Sequence, residues 1–162
     1  MKWLKHAILY GIVIIVLFSG QFLFNRGLVS GVPPQLPEQT IAGLPTESVM
    51  PKRGGIIYFW ADWCGLCGMM QSSMTKVLQD TPGITVALNS GPTEQVNRYL
   101  ASRNLNWPTV NDADGAAAKR YGIKGVPAIF FLNKNGHIVF SSIGYSTEFG
   151  LRFRLWLASY FN

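Results

Sequence analysis

The chain has 162 residues, with 14 Lys and Arg against 8 Asp and Glu, for a net charge of +6. That length allows one domain plus a targeting segment. From residue 30 onward the balance is 11 basic to 8 acidic residues, and no basic run interleaves with aromatics, so nucleic acid is not an expected partner.

The chain opens with Met1-Lys2-Trp3-Leu4-Lys5-His6 and then runs apolar from Ala7 to Phe24, with its polar interruption confined to Ser19-Gly20-Gln21. About 18 apolar residues suffice to cross hydrocarbon as a helix, and a secretory signal core is usually shorter, about 7–15 residues. Cleavage context is poor, because Phe18 stands two positions before Gly20. A cut after Gly31 is the alternative, but it lies beyond Arg26 and has Val29 upstream. No cysteine closely follows the run, which removes lipidation there. Residues 1–26 are therefore read as an uncleaved transmembrane anchor that meets bilayer lipid through residues 7–24. Lys2, Lys5 and the amino terminus outweigh Arg26, so the N-terminus stays inside and the rest of the chain lies outside, in a disulfide-permissive compartment.

Residues 27–54 carry Pro33, Pro34, Pro37, Pro45 and Pro51 together with Gly31, Gly43 and Gly54-Gly55. They read as a tether with a short strand near Thr40–Leu44. Residues 55–162 are the expected domain. Gly55 to Trp60 is β-branched and aromatic, and reads as a buried strand. Then comes Trp63-Cys64-Gly65-Leu66-Cys67, which holds the only two cysteines. At i, i+3 on a helical turn their Cα atoms lie within disulfide reach, roughly 5.5 Å. So small a ring adds little chain-entropy stabilisation, which suits a bridge that is made and broken. Half of a zinc site and a pair of inert core thiols are the competing readings. Zinc wants about four N or S ligands, and the only histidines are His6 and His137.

The helix that begins at Cys64 should run to about Gln79, ahead of Pro82. Met69, Met70 and Met74 on it could be soft ligands for Cu(I) or could fill core gaps. Further strands are expected at Ile84–Asn89 and Thr109–Asn111, and helices at Thr93–Asn104 and Ala116–Tyr121, with a turn over Asp112–Gly115. Ile129–Leu132 and His137–Ser141 form a hairpin about Asn133-Lys134-Asn135-Gly136. Ser146 or Thr147 caps a last helix in which Phe149, Phe153, Trp156 and Tyr160 recur at helical spacing, and these aromatics are read as core.

Two stretches carry a family resemblance. Tyr58-Phe59-Trp60-Ala61-Asp62-Trp63-Cys64-Gly65-Leu66-Cys67 resembles the active-site run of thioredoxins, and Tyr121-Gly122-Ile123-Lys124-Gly125-Val126-Pro127-Ala128 resembles their cis-proline loop. Asn106-Trp107-Pro108-Thr109-Val110 followed by Asp112-Ala113-Asp114-Gly115 is similar to the insertion of the membrane-anchored TlpA and ResA branch, and within it the chain resembles the copper-sensitivity thioredoxins. The resemblance implies an α/β thioredoxin fold: a central mixed sheet flanked by helices, with a TlpA-like αβ insertion, preceded by one N-terminal transmembrane helix. It implies a single-pass protein of the bacterial inner membrane whose domain faces the periplasm.

Cys64, at a helix N-terminus, is then the attacking thiol, and Cys67 resolves the mixed disulfide. Pro127 is expected to be cis. Trp63, Val126 and Ala128 are candidate substrate contacts. No metal and no cofactor beyond the Cys64–Cys67 disulfide are implied; the partners implied are protein disulfides and a transmembrane thiol-electron donor. Departures are also legible. Tyr58 stands where thioredoxins carry a buried Asp, Met70 where some relatives carry Glu, and Ala128 where the haem-maturation members carry an acid. Gly65-Leu66 supplies no His to stabilise a strongly oxidising thiolate, so a reductant is expected. A disulfide oxidant, a Cu(I)-binding protein and a scaffold with a permanent disulfide stand as alternatives.

Overall fold

The first strand, β1 (Gly55–Trp60), is buried at all six positions. A strand without a solvent face must lie inside a sheet covered on both sides. In a computed structural model, which describes Trp3, Tyr10 and residues 27–161, β1 is the middle of a five-stranded mixed sheet. Around it stand β2 (Gly83–Leu88), β3 (Thr109–Asp112), β4 (Ala128–Leu132) and β5 (Ile138–Ile143), in the order β3-β2-β1-β4-β5. The β1–β2 and β2–β3 pairs are parallel, while β1–β4 and β4–β5 are antiparallel. The helices are α1 (Thr46–Val49), α2 (Gly65–Asp80), α3 (Thr93–Ser102), α4 (Ala116–Arg120) and α5 (Glu148–Ala158).

Side chains alternate across a strand with period two, so β1 feeds two separate layers. Ile56, Tyr58 and Trp60 pack with Cys67, Met70, Met74 and Val77 of α2 and with Leu151 and Ala158 of α5. Ile57 and Phe59 pack on the other side with Ala117 and Ala118 of α4 and with Tyr121. The strands and helices expected from residue 55 onward are present, with ends displaced by at most two residues. The expected span over residues 7–24 lies, Tyr10 apart, outside the described residues. Among the described residues no helix is long and apolar enough to cross a membrane.

The Pro- and Gly-rich segment lies along the domain. Gly31 and Ile138 exchange two backbone hydrogen bonds, 2.9 and 2.7 Å, at the free edge of β5. Leu28, Val29 and Leu36 then pack under the second layer. At the opposite edge the Ile41 N–H donates to the Thr109 carbonyl at 2.8 Å. Both sheet edges, which would otherwise template strand pairing with other chains, are thus partly covered. The strand expected near Thr40–Leu44 is a tight turn, closed by the Thr40 N–H donating to the Leu44 carbonyl at 2.8 Å, with a single bridge from Thr40 to Val110.

The last helix corrects one sequence expectation. Thr147 caps α5, its hydroxyl accepting from the Gly150 N–H at 3.2 Å. Phe149, Phe153, Trp156 and Tyr160 are not core, however. They are exposed and form a ladder along the outer face of the helix, with ring centroids 6.2, 5.9 and 4.9 Å apart. The core face is Leu151, Leu155 and Ala158. Both sets recur at spacings of four and three, so periodicity alone fits either phase. Ala158 lets the helix lie close to the sheet, and Arg152 bonds Asp80 of α2 at 2.9 Å, fixing its rotation.

Leu151→Ala should therefore cost about 2–5 kcal/mol of stability, and Phe149→Ala less than about 0.5 kcal/mol. Urea unfolding of both variants checks this; a larger loss from Phe149→Ala would contradict the assignment of faces.

Candidate active site

Cys64 follows directly from the end of β1. The Cys64 N–H donates to the Ala61 carbonyl at 3.3 Å, closing a turn, and Cys64 then serves as the N-cap of α2 in extended backbone geometry. The capping role usually filled by a Ser or Asp oxygen falls to sulfur: the Cys67 N–H donates to Cys64 Sγ at 3.1 Å. The first amides of a helix have no backbone acceptor, and the helix dipole places positive potential at the same end. Both favour negative charge on Cys64 Sγ once the disulfide opens. The two sulfurs are bonded, with Cα atoms 5.2 Å apart. Cys64 is 8% exposed and Cys67 2%, so Cys64 is the less deeply buried of the two.

The turn is buttressed by residues of the β2–α3 loop and of α3 that sequence reasoning left out. Buried Ser90 accepts from the Asp62 N–H at 3.1 Å, and the Gln95 side-chain amide donates to Asp62 Oδ2 at 2.8 Å. The Trp63 indole N–H donates to the Asn89 carbonyl at 3.1 Å, which pins a ring that is still 62% exposed. These partners lie 26 to 33 residues away in sequence, and no local pattern marks them.

The second expected segment closes the site from the other side. The Val126–Pro127 peptide is cis, and the Val126 carbonyl oxygen lies 3.5 Å from Cys64 Sγ. Val126 is partly exposed, whereas Pro127 is buried. Ala128 is the first residue of β4 and its side chain is fully buried in the second layer. The structure thus brings Trp63, Cys64, Cys67, Val126 and Pro127 together and places the Ala128 side chain behind them.

Among the described residues the one buried acid is Asp112, which accepts from the Ala117 and Ala118 N–H groups and does not take the place of the missing Asp. The Tyr58 ring packs edge-on against Trp107 at 5.8 Å, and its hydroxyl is buried without a partner. Burial, with a smaller contribution from Tyr99, pushes the Tyr58 phenol far above its ordinary range, so it stays protonated. Met70 is buried, its sulfur accepting from the Ser146 N–H at 3.4 Å, and Met74 is buried below it. Met69 alone of the three points outward. Among the described residues no cluster of three or more His, Cys, Asp or Glu side chains could hold a metal.

A model of the AhpC/TSA family matches residues 36–141. The chain belongs to that family. A thioredoxin-like protein of Haemophilus influenzae is 29% identical over 163 residues, 99% of this chain and 97% of the relative. The thiol-disulfide oxidoreductase ResA of Bacillus subtilis is 26% identical over 135 residues, 81% and 74% of the two chains. The crystal structure of StoA from Bacillus subtilis superposes with a TM-score of 0.60 at 30% identity, covering 75% of this chain and 96% of that one. The AhpC/TSA member described here thus falls in the ResA-like branch. It is a thioredoxin-like thiol–disulfide oxidoreductase, and its redox group is the Cys64–Cys67 disulfide.

Proposed function

We propose that the chain is a membrane-anchored periplasmic reductase of protein disulfides. The observation that carries the reading is the amide-to-sulfur hydrogen bond from Cys67 to Cys64. It favours a Cys64 thiolate, which is the nucleophile in thiol–disulfide exchange. In the forward reaction the Cys64 thiolate attacks one sulfur of a substrate disulfide, and the other substrate sulfur leaves as a thiolate. Cys67, deprotonated, then attacks Cys64 Sγ, closes the Cys64–Cys67 disulfide and releases the second substrate thiol. Two electrons pass to the substrate and the enzyme ends oxidised. With Tyr58 held neutral, the Cys67 proton leaves to solvent or to the departing substrate thiolate.

Substrate contact falls to the flat exposed face of Trp63 and the main chain of Val126, with Pro127 shaping the loop and Ala128 backing it. Residues 1–26 act as the anchor, residues 27–54 lead from it along the domain, and residues 55–162 carry the catalysis. In an oxidising compartment the enzyme is restored by a transmembrane thiol-electron donor. Gly65 and Leu66 between the cysteines add no further thiolate stabiliser, which supports the reducing direction. Titration of the Cys64–Cys67 couple against glutathione should place its potential at or below about −200 mV; a value near −120 mV would assign an oxidant instead.

The proposed link to copper tolerance runs through the same chemistry: a reductase repairs the disulfides that copper scrambles. Burial of Met70 and Met74 supports this over Cu(I) storage. Replacing Met69, Met70 and Met74 by Leu, a near-isosteric change, should leave growth on graded copper nearly unchanged, while Cys64→Ser should abolish protection. Loss of tolerance in the Leu variant, with redox activity retained, would favour metal binding.

A further inference from the structure

The start of the described domain has a direction. Gly31 is held at Ile138, the end of β5 that pairs with Leu132 and lies farthest from the cysteines. Moving toward the N-terminus, the Val29 N–H donates to the Tyr121 carbonyl at 3.3 Å. The Gly27 carbonyl then lies so close to Gly122 that a Cβ there would come within 1.9 Å of its oxygen. Gly122, Ile123 and Lys124 line a groove that also includes Trp63. Leu28 and Val29 are packed into the second layer, which fixes this path. Between Gly31 and Gly27 the segment therefore climbs from the distal edge to the wall of the groove beside Trp63, which precedes Cys64. Phe24, the last residue of the apolar run, precedes Gly27 by three positions, a reach of about 10 Å at full extension.

We propose that the clamp over residues 27–31 turns the catalytic edge toward the bilayer, making the surface around Cys64 a docking face for lipid headgroups. The inference rests on the anchored reading above. It implies that thiols and disulfides reach Cys64 at headgroup level, from proteins held in the membrane.

The surface has the matching chemistry. Trp63, Leu66 and Met69, all within five residues of Cys64 in sequence, are 62%, 45% and 62% exposed. Exposed Lys119 and Lys124 stand on the groove wall, together with Asp114. Aromatic side chains and lysines are the residues that settle at membrane interfaces, and each lysine is attracted to anionic lipid. The aromatic ladder of α5 is larger, but α5 packs on the layer opposite Leu28 and Val29. It therefore stands across the sheet from Leu28 and Val29.

The test uses the full-length chain in vesicles of phosphatidylethanolamine and phosphatidylglycerol containing a small fraction of maleimide-headgroup lipid. Alkylation by this lipid is divided by alkylation with a soluble maleimide. One chain carries Cys67→Ser, leaving Cys64 as its only thiol. The other carries Cys64→Ser, Cys67→Ser and Asn135→Cys, with its only thiol on the exposed hairpin at the distal edge. The expected ratio is at least tenfold higher for the first chain. Inserting ten Gly and Ser residues between Arg26 and Gly27 lengthens the reach by about 35 Å and should bring the two ratios within twofold.

Equal or inverted ratios without the insertion, a bias untouched by it, or a chain that does not float with the vesicles would each overturn the proposal. Insulin reduction by the unmodified chain in the same vesicles reports on the enzyme reading separately. Turnover without bias would strike the orientation alone, and bias without turnover would strike the proposed reductase alone.

Discussion

The antiparallel register that sets Phe59 opposite Ala128 is the constraint on which the site depends. β1 ends one residue later, and the chain turns into Cys64; β4 begins at Ala128, immediately after Pro127. Pairing those two strand ends brings two segments more than 60 residues apart within 3.5 Å, at Cys64 Sγ and the Val126 carbonyl. A slip of one residue would move every β4 side chain to the wrong layer. It would drive Ile129 and Phe131 away from α2, and Phe130 away from the Phe59 and Tyr121 rings that it meets at 5.9 and 5.1 Å. The register is therefore held by the core, and the reactive geometry comes with it.

This division explains what could be read from the sequence. The fold was legible because its central strand is continuously apolar and its two motifs are local: a CxxC at a helix start and a proline ahead of a hairpin. The Cys64 cap needs only three residues of spacing. What stayed hidden depends on partners distant in sequence. Asn89 and Ser90 of the β2–α3 loop and Gln95 of α3 brace the CxxC turn, yet each looks like an ordinary loop or helix residue. Asp112, read as part of a turn, also caps α4, accepting from the Ala117 and Ala118 N–H groups at 2.9 and 2.8 Å. The α5 aromatics show the limit of periodicity. It reports that a stripe exists, and the fit of Leu151 and Ala158 against the sheet decides which stripe is covered.

The layer around Cys67 is built of aliphatic and aromatic side chains, and its Tyr58 phenol is held protonated. Tyr58, Trp60 and Trp107 fill the space above α2, with the Tyr58 hydroxyl and the Trp60 indole N–H unpartnered. Unpaired buried polar groups of this kind cost free energy, and here they come with an apolar wall behind the disulfide. Such a wall disfavours charge on Cys67 while the helix start favours charge on Cys64. The two thiols of one short ring are thereby made unequal, which is what separates an attacking from a resolving thiol in the proposed reaction.

The most direct test of that inequality is the pH dependence of Cys64 alkylation by iodoacetamide in the reduced Cys67→Ser chain, which keeps the residue-67 backbone N–H and has a single thiol. The account predicts an apparent pKa at least about one unit below the roughly 8.5 of free cysteine. A midpoint at or above 8.5 would contradict it, because the hydrogen bond and the helix terminus would then have no effect on the sulfur they face.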